Sequence, residues 1–465
     1  MKREEGRVFD LKIAYIGGGS RVWARTLMKD LAFEQALCGT VALYDIDKAA
    51  AQDNAIIGNM ISQKQEAKSK WKYVVSETIE EVLMGADFVI LSILPQTFRE
   101  MHAEVHKPEK LGIYQSVGDT AGIGGYMRAM RTAPIYIGFA EAIKKYCPSA
   151  WVINYTNPMT LCTRVLYEYF PEIKLFGCCH EVFGTQMMLA EMYSKITGNP
   201  VPKRQEIKTD VSGINHFTWI TKATYNGEDL FPIFEKISEE YGEKGFFQDE
   251  DSAYPMGPGY CGNVIKFELY KRYGVLPAAG DRHLAEFLNN KWYLSSPKAV
   301  EEKRFSLTSV DWRIEEQKKK NATAKRIVNG EEDFPMTPSH EEGVRQMKAI
   351  LGLGDLVTNV NLPNKGQIKG YPLGAVVETN AKFSNNSVEP MEATALPVEV
   401  NALILKHVYH HEAFIKALKV KDIQMIKSII ADDPQCGGVS YEEVSKVFDE
   451  IYEYNKDALD YYWKS

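Results

Sequence analysis

The sequence predicts an α/β protein in which a doubly wound parallel sheet, residues 1–195, is followed by an α+β unit, residues 196–465. Three observations support this prediction. Short apolar strands alternate with helical segments in the first unit, glycines follow the first strand directly, and longer strands of antiparallel character begin in the second unit. A chain of 465 residues also exceeds the usual size of one hydrophobic core.

The strands of the first unit are short apolar runs that end in polar residues or glycine. They are predicted at residues 11–16, 41–44, 73–75, 88–93, 151–155 and 175–178. Helical patterns fall between them, notably at residues 21–37, 77–83 and 128–146. Because strand–helix–strand crossovers are right-handed, this alternation predicts a parallel sheet with helices on both faces.

The second unit has a different pattern, with strands predicted at residues 206–212 and 218–225. Asn226-Gly227 is a strong signal for a hairpin turn. Beyond residue 281 the pattern is mainly helical, with strand-like runs at 356–360 and 375–378 and long helices at 398–418 and 441–462. No flexible linker separates the two units, so we expect them to share an interface with a substrate cleft between them.

Composition and charge exclude several classes of protein. The 55 basic and 62 acidic residues give a net charge of -7 without a long basic run, so we expect no nucleic-acid partner. Residues 1–10 are charged, unlike a signal peptide, and no apolar stretch is long enough to span a bilayer. We therefore expect a cytoplasmic protein with no membrane partner. Seven widely spaced cysteines predict free thiols and not disulfides.

A glycine loop links the first predicted strand to the first helix, and its residues are Gly17, Gly18, Gly19, Ser20 and Arg21. Such a loop lets backbone N–H groups approach a pyrophosphate at a helix N-terminus. Asp45 ends the next strand, where a carboxylate accepts hydrogen bonds from an adenosine ribose and repels the 2′-phosphate of NADP. Val22 replaces the third glycine of the usual fingerprint, so an ordinary turn is the alternative. Together, loop, strand and Asp45 predict a Rossmann-type NAD site.

Two further motifs carry residues suited to a metal. Cys178, Cys179, His180 and Glu181 follow a predicted strand, at the end where parallel sheets bind ligands. His216 lies in an apolar and aromatic segment. A thiolate and an imidazole suit a borderline divalent metal, although the spacing alone is not a metal motif. A packed cysteine and a hydrogen-bonded core histidine are the alternatives.

Polar clusters follow other predicted strands. Asn154 and Asn157 belong to a segment that ends a buried strand, and Asp119 precedes the glycine-rich residues 122–125. Each cluster taken alone is typical of a helix cap or a turn. Together they would bring amides and a carboxylate to the nicotinamide.

In this order the motifs resemble those of glycoside hydrolase family 4, the NAD-dependent glycosidases. The resemblance extends over most of the chain and rests on the glycine loop, residues 154–158, Cys179-His180, Asn215-His216 and residues 280–283. It implies that NAD takes a hydride from sugar C3 and that a base removes the acidified C2 proton. The glycosidic bond is then eliminated, water adds and the hydride returns. A divalent metal, usually manganese, would stabilise the enediolate through O2 and O3.

The resemblance assigns metal ligation to Cys179 and His216. It places Asn157 beside the substrate near the metal, and Asn154 near the nicotinamide end of NAD.

The acid and the base are assigned less directly. The implied base is Tyr260, with an aromatic wall of the site as the alternative role. Because tyrosine titrates near pH 10, such a base requires a metal or a cation nearby. The implied proton donor to the leaving group is Asp119 or His180.

Cys179-His180-Glu181-Val182 looks most like the motif of the α-galacturonidase branch. α-Glucosidases, α-galactosidases and α-glucuronidases are the alternatives within the family. A uronate carboxylate requires Arg or Lys, so Arg131 and Arg282 are predicted to bind it, with Arg128 as a further candidate. Asn157 and His283 are the other predicted substrate-binding residues. Structural ion pairs are the alternative role for these arginines.

A malate- or lactate-type NAD-dependent dehydrogenase, which shares this fold by resemblance, is the alternative from another enzyme class. It would accumulate NADH during turnover and would have no use for a Cys179–His216 metal pair. The family resemblance also implies a homodimer or homotetramer that acts on a small sugar or uronide.

Overall fold

The structure is a computed structural model that describes residues 1–4, 6–249, 253, 257 and 259–465 of the chain. Its strands are β1 (Lys2–Glu4), β2 (Arg7–Ile16), β3 (Leu37–Tyr44), β4 (Trp71–Val75), β5 (Phe88–Leu91), β6 (Trp151–Asn154), β7 (Lys174–Gly177), β8 (Ile207–Ile214), β9 (Phe217–Tyr225), β10 (Glu228–Asp229), β11 (Leu276–Pro277), β12 (Leu356–Pro363), β13 (Val376–Ser384) and β14 (Ser387–Pro390).

The helices are α1 (Trp23–Phe33), α2 (Lys48–Ile61), α3 (Ile79–Leu83), α4 (Phe98–His106), α5 (Gly122–Tyr146), α6 (Met159–Tyr169), α7 (Glu181–Thr197), α8 (Phe231–Tyr241), α9 (Val264–Tyr273), α10 (Asp281–Glu286), α11 (Asn290–Tyr293), α12 (Pro297–Glu302), α13 (Val310–Val328), α14 (Gly343–Ile350), α15 (Val398–Val420), α16 (Ile423–Asp432), α17 (Tyr441–Tyr454) and α18 (Lys456–Trp463). Within the described residues, no helix combines the length and the apolar character that a membrane span requires.

The larger sheet has the order β14-β13-β12-β7-β6-β5-β2-β3-β4, and β1 pairs with β2. Its central strands β7, β6, β5, β2, β3 and β4 are parallel, as predicted. All four residues of β5 are buried, because helices cover both faces of the sheet. One face packs on α5, α6 and the C-terminal helices, and the other packs on α1, α2 and α14. The predicted doubly wound α/β fold is confirmed.

The predicted boundary at residue 195 does not separate this sheet from the rest of the chain. The antiparallel strands β12, β13 and β14 come from the second predicted unit, and β12 continues the sheet beside β7, where Asn361 pairs with Gly177. Strands β12 and β13 were expected from their apolar runs, but as part of the second unit. Strand β12 pairs with β7, which lies about 180 residues earlier in the sequence, and local pattern carries no information about such a contact.

The smaller sheet contains β8, β9, β10 and β11. The predicted turn at Asn226-Gly227 joins β9 to β10, and both residues have positive φ, 51° and 85°. The other hairpin turn, between β8 and β9, is formed by Asn215 and His216. This sheet contacts the larger one through the side chain of Asn380 on β13, which donates to the Thr209 carbonyl at 2.6 Å.

Several predicted helix boundaries were wrong. Helix α1 begins at Trp23, whose N–H donates to the Ser20 side chain at 3.2 Å, and it ends before Leu37, which begins β3. Helix α5 begins at Gly122 and not at the predicted residue 128, so the glycines of residues 122–125 form its first turn. A Cβ on Gly125 would lie 2.4 Å from the Thr120 carbonyl carbon, so close packing requires glycine there. The last predicted helix is interrupted at Asn455, which donates to Glu104 at 3.0 Å.

Helix α15 contributes buried histidines to the interior. His407 donates through Nε2–H to the Phe287 carbonyl at 2.8 Å, and His411 packs beside the Tyr126 ring. Burial lowers the pKa of His407 to about 4 and the pKa of His411 to about 3, so both rings are neutral in the folded protein.

These histidines predict that the fold is sensitive to acid. Their folded pKa values lie below the ordinary 6.5, so the unfolded chain binds more protons and stability falls as the pH drops from 6.5 towards 4. His411→Gln removes one such group. When the pH is lowered from 7.5 to 5, the free energy of unfolding should therefore fall by about 2 kcal/mol less in this variant than in the wild type. Denaturant unfolding at both pH values measures this difference. The exposed His340→Gln is the control and should behave as the wild type does; an equal loss in all three proteins would contradict the prediction.

Candidate active site

The predicted polar motifs meet at the carboxyl edge of the parallel strands. The glycine loop follows β2, Asp45 follows β3, the 154–158 segment follows β6 and Cys179 follows β7. Parallel strands bring their carboxyl ends to one edge of a sheet, which is where such folds bind ligands. Residues 115–120, named here the 115–120 loop, precede α5 at this edge.

The glycine loop has a backbone that other residues could not adopt. Gly17 has φ +92°, and a Cβ there would lie 2.0 Å from the Ser92 carbonyl oxygen. A Cβ on Gly18 would lie 2.7 Å from the Leu43 side chain. The Gly19 N–H donates to Asp45 Oδ2 at 2.8 Å, so Asp45 holds the loop in place. The result is a tight backbone turn at the start of α1, which suits a pyrophosphate.

The flanks of this loop are also fixed. Arg21 forms an ion pair with Asp47 at 2.6 Å and donates through Nε to Asn321 on α13 at 2.7 Å. The second oxygen of Asp45 accepts from the Asp47 N–H at 2.9 Å. Arg21 is thus held over the loop, while the predicted contact between Asp45 and a ribose stays a prediction.

Cys179 and His216 lie together, with Sγ and Nδ1 3.2 Å apart and both side chains buried. The other ring nitrogen of His216, Nε2, is buried without a hydrogen-bond partner. Burial and the neighbouring His283 lower the pKa of His216 to about 3, so the ring is neutral as a metal ligand must be. Burial and the carboxylates of Glu378 and Glu181 raise the pKa of the Cys179 thiol, so a bound cation has to displace its proton.

This pair is positioned by both sheets. The Cys178 N–H donates to the Asn154 carbonyl at 3.0 Å, which continues β7 to Cys179. Asn215, beside His216 in the β8–β9 turn, donates to Glu378 of β13 at 3.1 Å. Within the described residues, no third His, Cys, Asp or Glu completes a three-residue metal group with them.

Glu181 links the histidines around the pair. The His283 ring lies on the His216 ring with centroids 4.2 Å apart, and its Nε2 is 3.6 Å from Glu181. His180 Nε2 is 3.7 Å from the same carboxylate, and its ring faces Trp23 with half of its surface exposed. Burial opposes ionisation of Glu181, but His283, His180 and His216 and the Gly280 N–H hold its pKa well below the ordinary value.

Asp119 also belongs to this cluster. Burial opposes its charge, but Arg128, Arg313, His283 and His216 lower its pKa to about 2. The carboxylate is therefore ionised at neutral pH, which does not suit the predicted role of proton donor. Thr120 donates to it at 2.9 Å.

Two predicted site residues have other partners. Arg131 donates through Nε and Nη2 to both carboxylate oxygens of Glu104 at 2.7 Å and is 1% exposed, so it is a structural ion pair and not a substrate clamp. Asn154 is fully buried, and its side chain accepts from Tyr136 at 2.7 Å and donates to Thr163 at 3.3 Å. Its amide fastens the end of β6, and the predicted position of Asn154 near the nicotinamide end of NAD stays a prediction.

The remaining predicted residues lie near the cluster. The carbonyl of Asn157 accepts from Arg128 Nε at 3.0 Å, and the buried Asn157 Oδ1 has no hydrogen-bond partner. Arg282 donates to the Ser116 carbonyl of the 115–120 loop at 3.3 Å. Tyr260 is buried with its ring stacked on Phe247, centroids 5.5 Å apart.

Sequence reasoning did not predict the contacts of two residues in this region, Glu181 and Arg313. Glu181 was part of a recognised motif, but its contacts with His180, His283 and Gly280 depend on packing between α7 and α10. Arg313 stands in a strongly charged helix, α13, where nothing in the local pattern distinguishes it from its neighbours. Its contact with the 115–120 loop joins residues almost 200 positions apart.

Comparisons with known proteins define the class to which this fold and site belong. Residues 12–195 match the family described as "Family 4 glycosyl hydrolase", and residues 211–436 match its C-terminal domain. The chain therefore belongs to family 4 of the glycosyl hydrolases and is an enzyme that hydrolyses O-glycosidic bonds. The predicted family is confirmed.

Individual relatives agree with this assignment. The α-galacturonidase of Thermoanaerobacterium saccharolyticum is 53% identical over 460 residues, 99% of each chain. The solved structure of lplD from Bacillus subtilis has a TM-score of 0.90 and 45% identity, covering 96% of this chain and 100% of that one. A 6-phospho-α-glucosidase from gut microorganisms, in complex with NAD and Mn2+, shares the fold with a TM-score of 0.81 at 19% identity, over 97% and 99% of the two chains.

The adjacent cysteines provide a matched test of the metal pair. Cys179→Ser should lower Mn2+ affinity by on the order of 100-fold or more, because it replaces a predicted ligand. Cys178→Ser is the control, since Cys178 packs in the apolar core beyond the sheet and should leave Mn2+ affinity unchanged. Electron paramagnetic resonance of free Mn2+ measures both. Equal Mn2+ affinity in the two variants would contradict the assignment.

Proposed function

We propose that the enzyme hydrolyses α-galacturonides, using NAD bound at the glycine loop and a divalent metal, manganese, held by Cys179 and His216. The 3.2 Å contact between these two side chains, at the same sheet edge as the glycine loop, carries the proposal. The full-length similarity to an α-galacturonidase supports the substrate class.

The residues present fit both groups. At the glycine loop, protein atoms fill the space that a side chain would need, so only glycines allow this tight turn directly before the N-terminus of α1, where a pyrophosphate binds in such folds. At the metal pair, a neutral imidazole and a thiol converge, and the buried Nε2 of His216 has no protein partner. When bound, NAD would accept and return the hydride of sugar C3, and the metal would polarise the oxygens on C2 and C3.

The protein's own residues then handle protons. Tyr260 is the proposed base: its phenolate oxygen takes the C2 proton, the electron pair forms the C1–C2 double bond, and the C1–O bond to the leaving group breaks. A proton must reach the departing oxygen at the same time. Adding water across C1 and C2, with Tyr260 returning a proton to C2, gives the sugar that still carries the ketone at C3. Return of the hydride to C3 would complete the product.

His180 is the better placed of the two predicted proton donors. Its ring is half exposed at the edge of the site, with Nε2 3.7 Å from the Glu181 carboxylate, so it can exchange protons with solvent. Asp119 is held as a carboxylate by the arginines around it. We assign Asn157, with its unpartnered buried oxygen, to the sugar beside the metal.

A substrate panel tests the proposed activity. The enzyme, supplied with NAD, Mn2+ and a thiol reductant, is assayed on nitrophenyl α-galacturonide, α-galactoside, α-glucoside and α-glucuronide. We expect cleavage of the α-galacturonide without accumulation of NADH. Preference for another glycoside would move the enzyme to another substrate class, and NADH formed in proportion to product would indicate a dehydrogenase.

Tyr260→Phe should lower kcat by about 100-fold or more, because removing a general base usually has an effect of that size. Its affinity for NAD and Mn2+ should stay unchanged, since the ring can keep its stacking on Phe247. Tyr270→Phe, on α9, is the control and should retain kcat. A Tyr260→Phe enzyme with normal kcat would reduce Tyr260 to an aromatic wall of the site.

Asp45→Asn should raise the affinity for NADP relative to NAD about tenfold or more, because it removes a negative charge close to the predicted ribose. The amide oxygen can still accept from the Gly19 N–H, but the amide nitrogen cannot accept from the Asp47 N–H, so the ratio of the two affinities is measured and not either affinity alone. Fluorescence titration with both nucleotides measures the ratio. A ratio equal to that of the wild type would place the ribose away from Asp45.

We further propose a cytoplasmic homodimer or homotetramer. All seven cysteines are free thiols, which is typical of reducing compartments. Light scattering of the purified enzyme determines the number of subunits.

A further inference from the structure

The 115–120 loop is held between two charged side chains of opposite sign. Glu286 accepts from the Val117 and Gly118 N–H groups at 2.7 and 2.8 Å. Arg313, from α13, donates through Nη2 to the Val117 carbonyl at 3.0 Å. Arg282 also donates to Ser116 of this loop, and the next residue, His283, stacks on the His216 ring, so the loop lies close to the proposed metal pair.

Arg128 and Arg313 lie on either side of this loop and have few partners. Among the described residues, Arg128 makes one side-chain hydrogen bond, from Nε to the Asn157 carbonyl. The Nε–H of Arg313 is buried without a hydrogen-bond partner. Neither guanidinium has a carboxylate oxygen within 4.0 Å in the described part of the chain, whereas Arg131 close by is fully paired with Glu104.

Among the described residues, neither Arg128 nor Arg313 is ion-paired, and both act on the nearby Asp119 carboxylate. Glu286 accepts from the same loop, and burial raises its pKa to about 7, so it is only partly ionised at neutral pH. A buried guanidinium without a paired carboxylate is unfavourable unless an anion joins it.

Helix α13 contacts both the 115–120 loop and the glycine loop. Near its N-terminus, Arg313 donates to Val117 of the 115–120 loop. Further along the helix, Asn321 accepts from Arg21 beside the glycine loop at 2.7 Å, and Lys325 pairs with Asp53 on α2 at 2.7 Å. Arg313 thus lies at the end of the helix that contacts the loop carrying Asp119.

We propose that Arg313, together with Arg128, binds the carboxylate of the substrate and makes the enzyme selective for uronides over neutral sugars. The inference rests on the proposed function and names the side chain that determines it, in place of the Arg131 expected from the sequence. A guanidinium matches a planar carboxylate with two parallel N–H donors. A monoanion fits better than a phosphate dianion because the carboxyl groups of Asp119 and Glu286 also lie at the 115–120 loop.

The test compares Arg313→Met and Arg313→Lys with Lys318→Met, a control at an exposed position of the same helix. The NAD- and Mn2+-loaded enzymes are titrated with D-galacturonate, D-galactose and D-galactose 6-phosphate. The kcat/KM values for nitrophenyl α-galacturonide and α-galactoside are measured in parallel. Arg313→Met should lower the preference for the uronide about 10- to 100-fold, through KM and the Kd of galacturonate. NAD affinity and the thermal midpoint should stay close to those of the control.

Arg313→Lys keeps the charge and most of the packing, so it decides the outcome if Arg313→Met does not fold. It should lose about fivefold or more of the uronide preference, since an ammonium cannot bind both oxygens in parallel. Unchanged preference in a folded Arg313 variant, in an enzyme that does cleave α-galacturonides, would overturn this inference and leave the proposed function intact. Tighter wild-type binding of galactose 6-phosphate than of galacturonate would also overturn it. A wild-type enzyme inactive on α-galacturonides would instead overturn the proposed function.

Discussion

The contact between Cys179 and His216 brings together residues from two sheets, and the rest of the site is arranged around it. Cys179 stands at the carboxyl end of β7, whereas His216 lies in the β8–β9 turn. Glu378 on β13 fixes that turn through Asn215, and β13 belongs to the larger sheet. The geometry of a two-residue metal pair thus depends on the docking of whole sheets. A small shift between the sheets would separate the sulfur from the ring nitrogen.

The protonation states of His216, Cys179 and Asp119 depend on their burial inside the protein. His216 is neutral and the Cys179 thiol keeps its proton because both lie inside the protein. Asp119 stays ionised in an equally buried position, because arginines and histidines surround it. We assign ligands of opposite sign to these two places: a cation at the sulfur of Cys179, and the carboxylate of the substrate at Arg128 and Arg313.

The sequence predicted those parts of the molecule that depend on local pattern. The parallel strands, the glycine loop and the Asn226-Gly227 turn follow from apolar runs and from residues that tolerate positive φ. The metal pair came from a family resemblance, since the 36 residues between Cys179 and His216 give no spacing signal. The addition of β12–β14 to the larger sheet could not be predicted, because it is a long-range pairing. The sequence also could not show that Arg131 is paired with Glu104, or that Arg313 contacts the 115–120 loop, because both are contacts between residues far apart in the sequence.

The central claim is that a glycosidic bond is hydrolysed after a proton leaves C2 of the sugar. Turnover of an α-galacturonide in D2O, followed by NMR of the released galacturonate, tests this claim most directly. The account predicts deuterium at C2 of the product, because the proton taken by the base exchanges with solvent before it is returned. Product that keeps its original hydrogen at C2 throughout turnover would contradict the account and indicate direct displacement at C1.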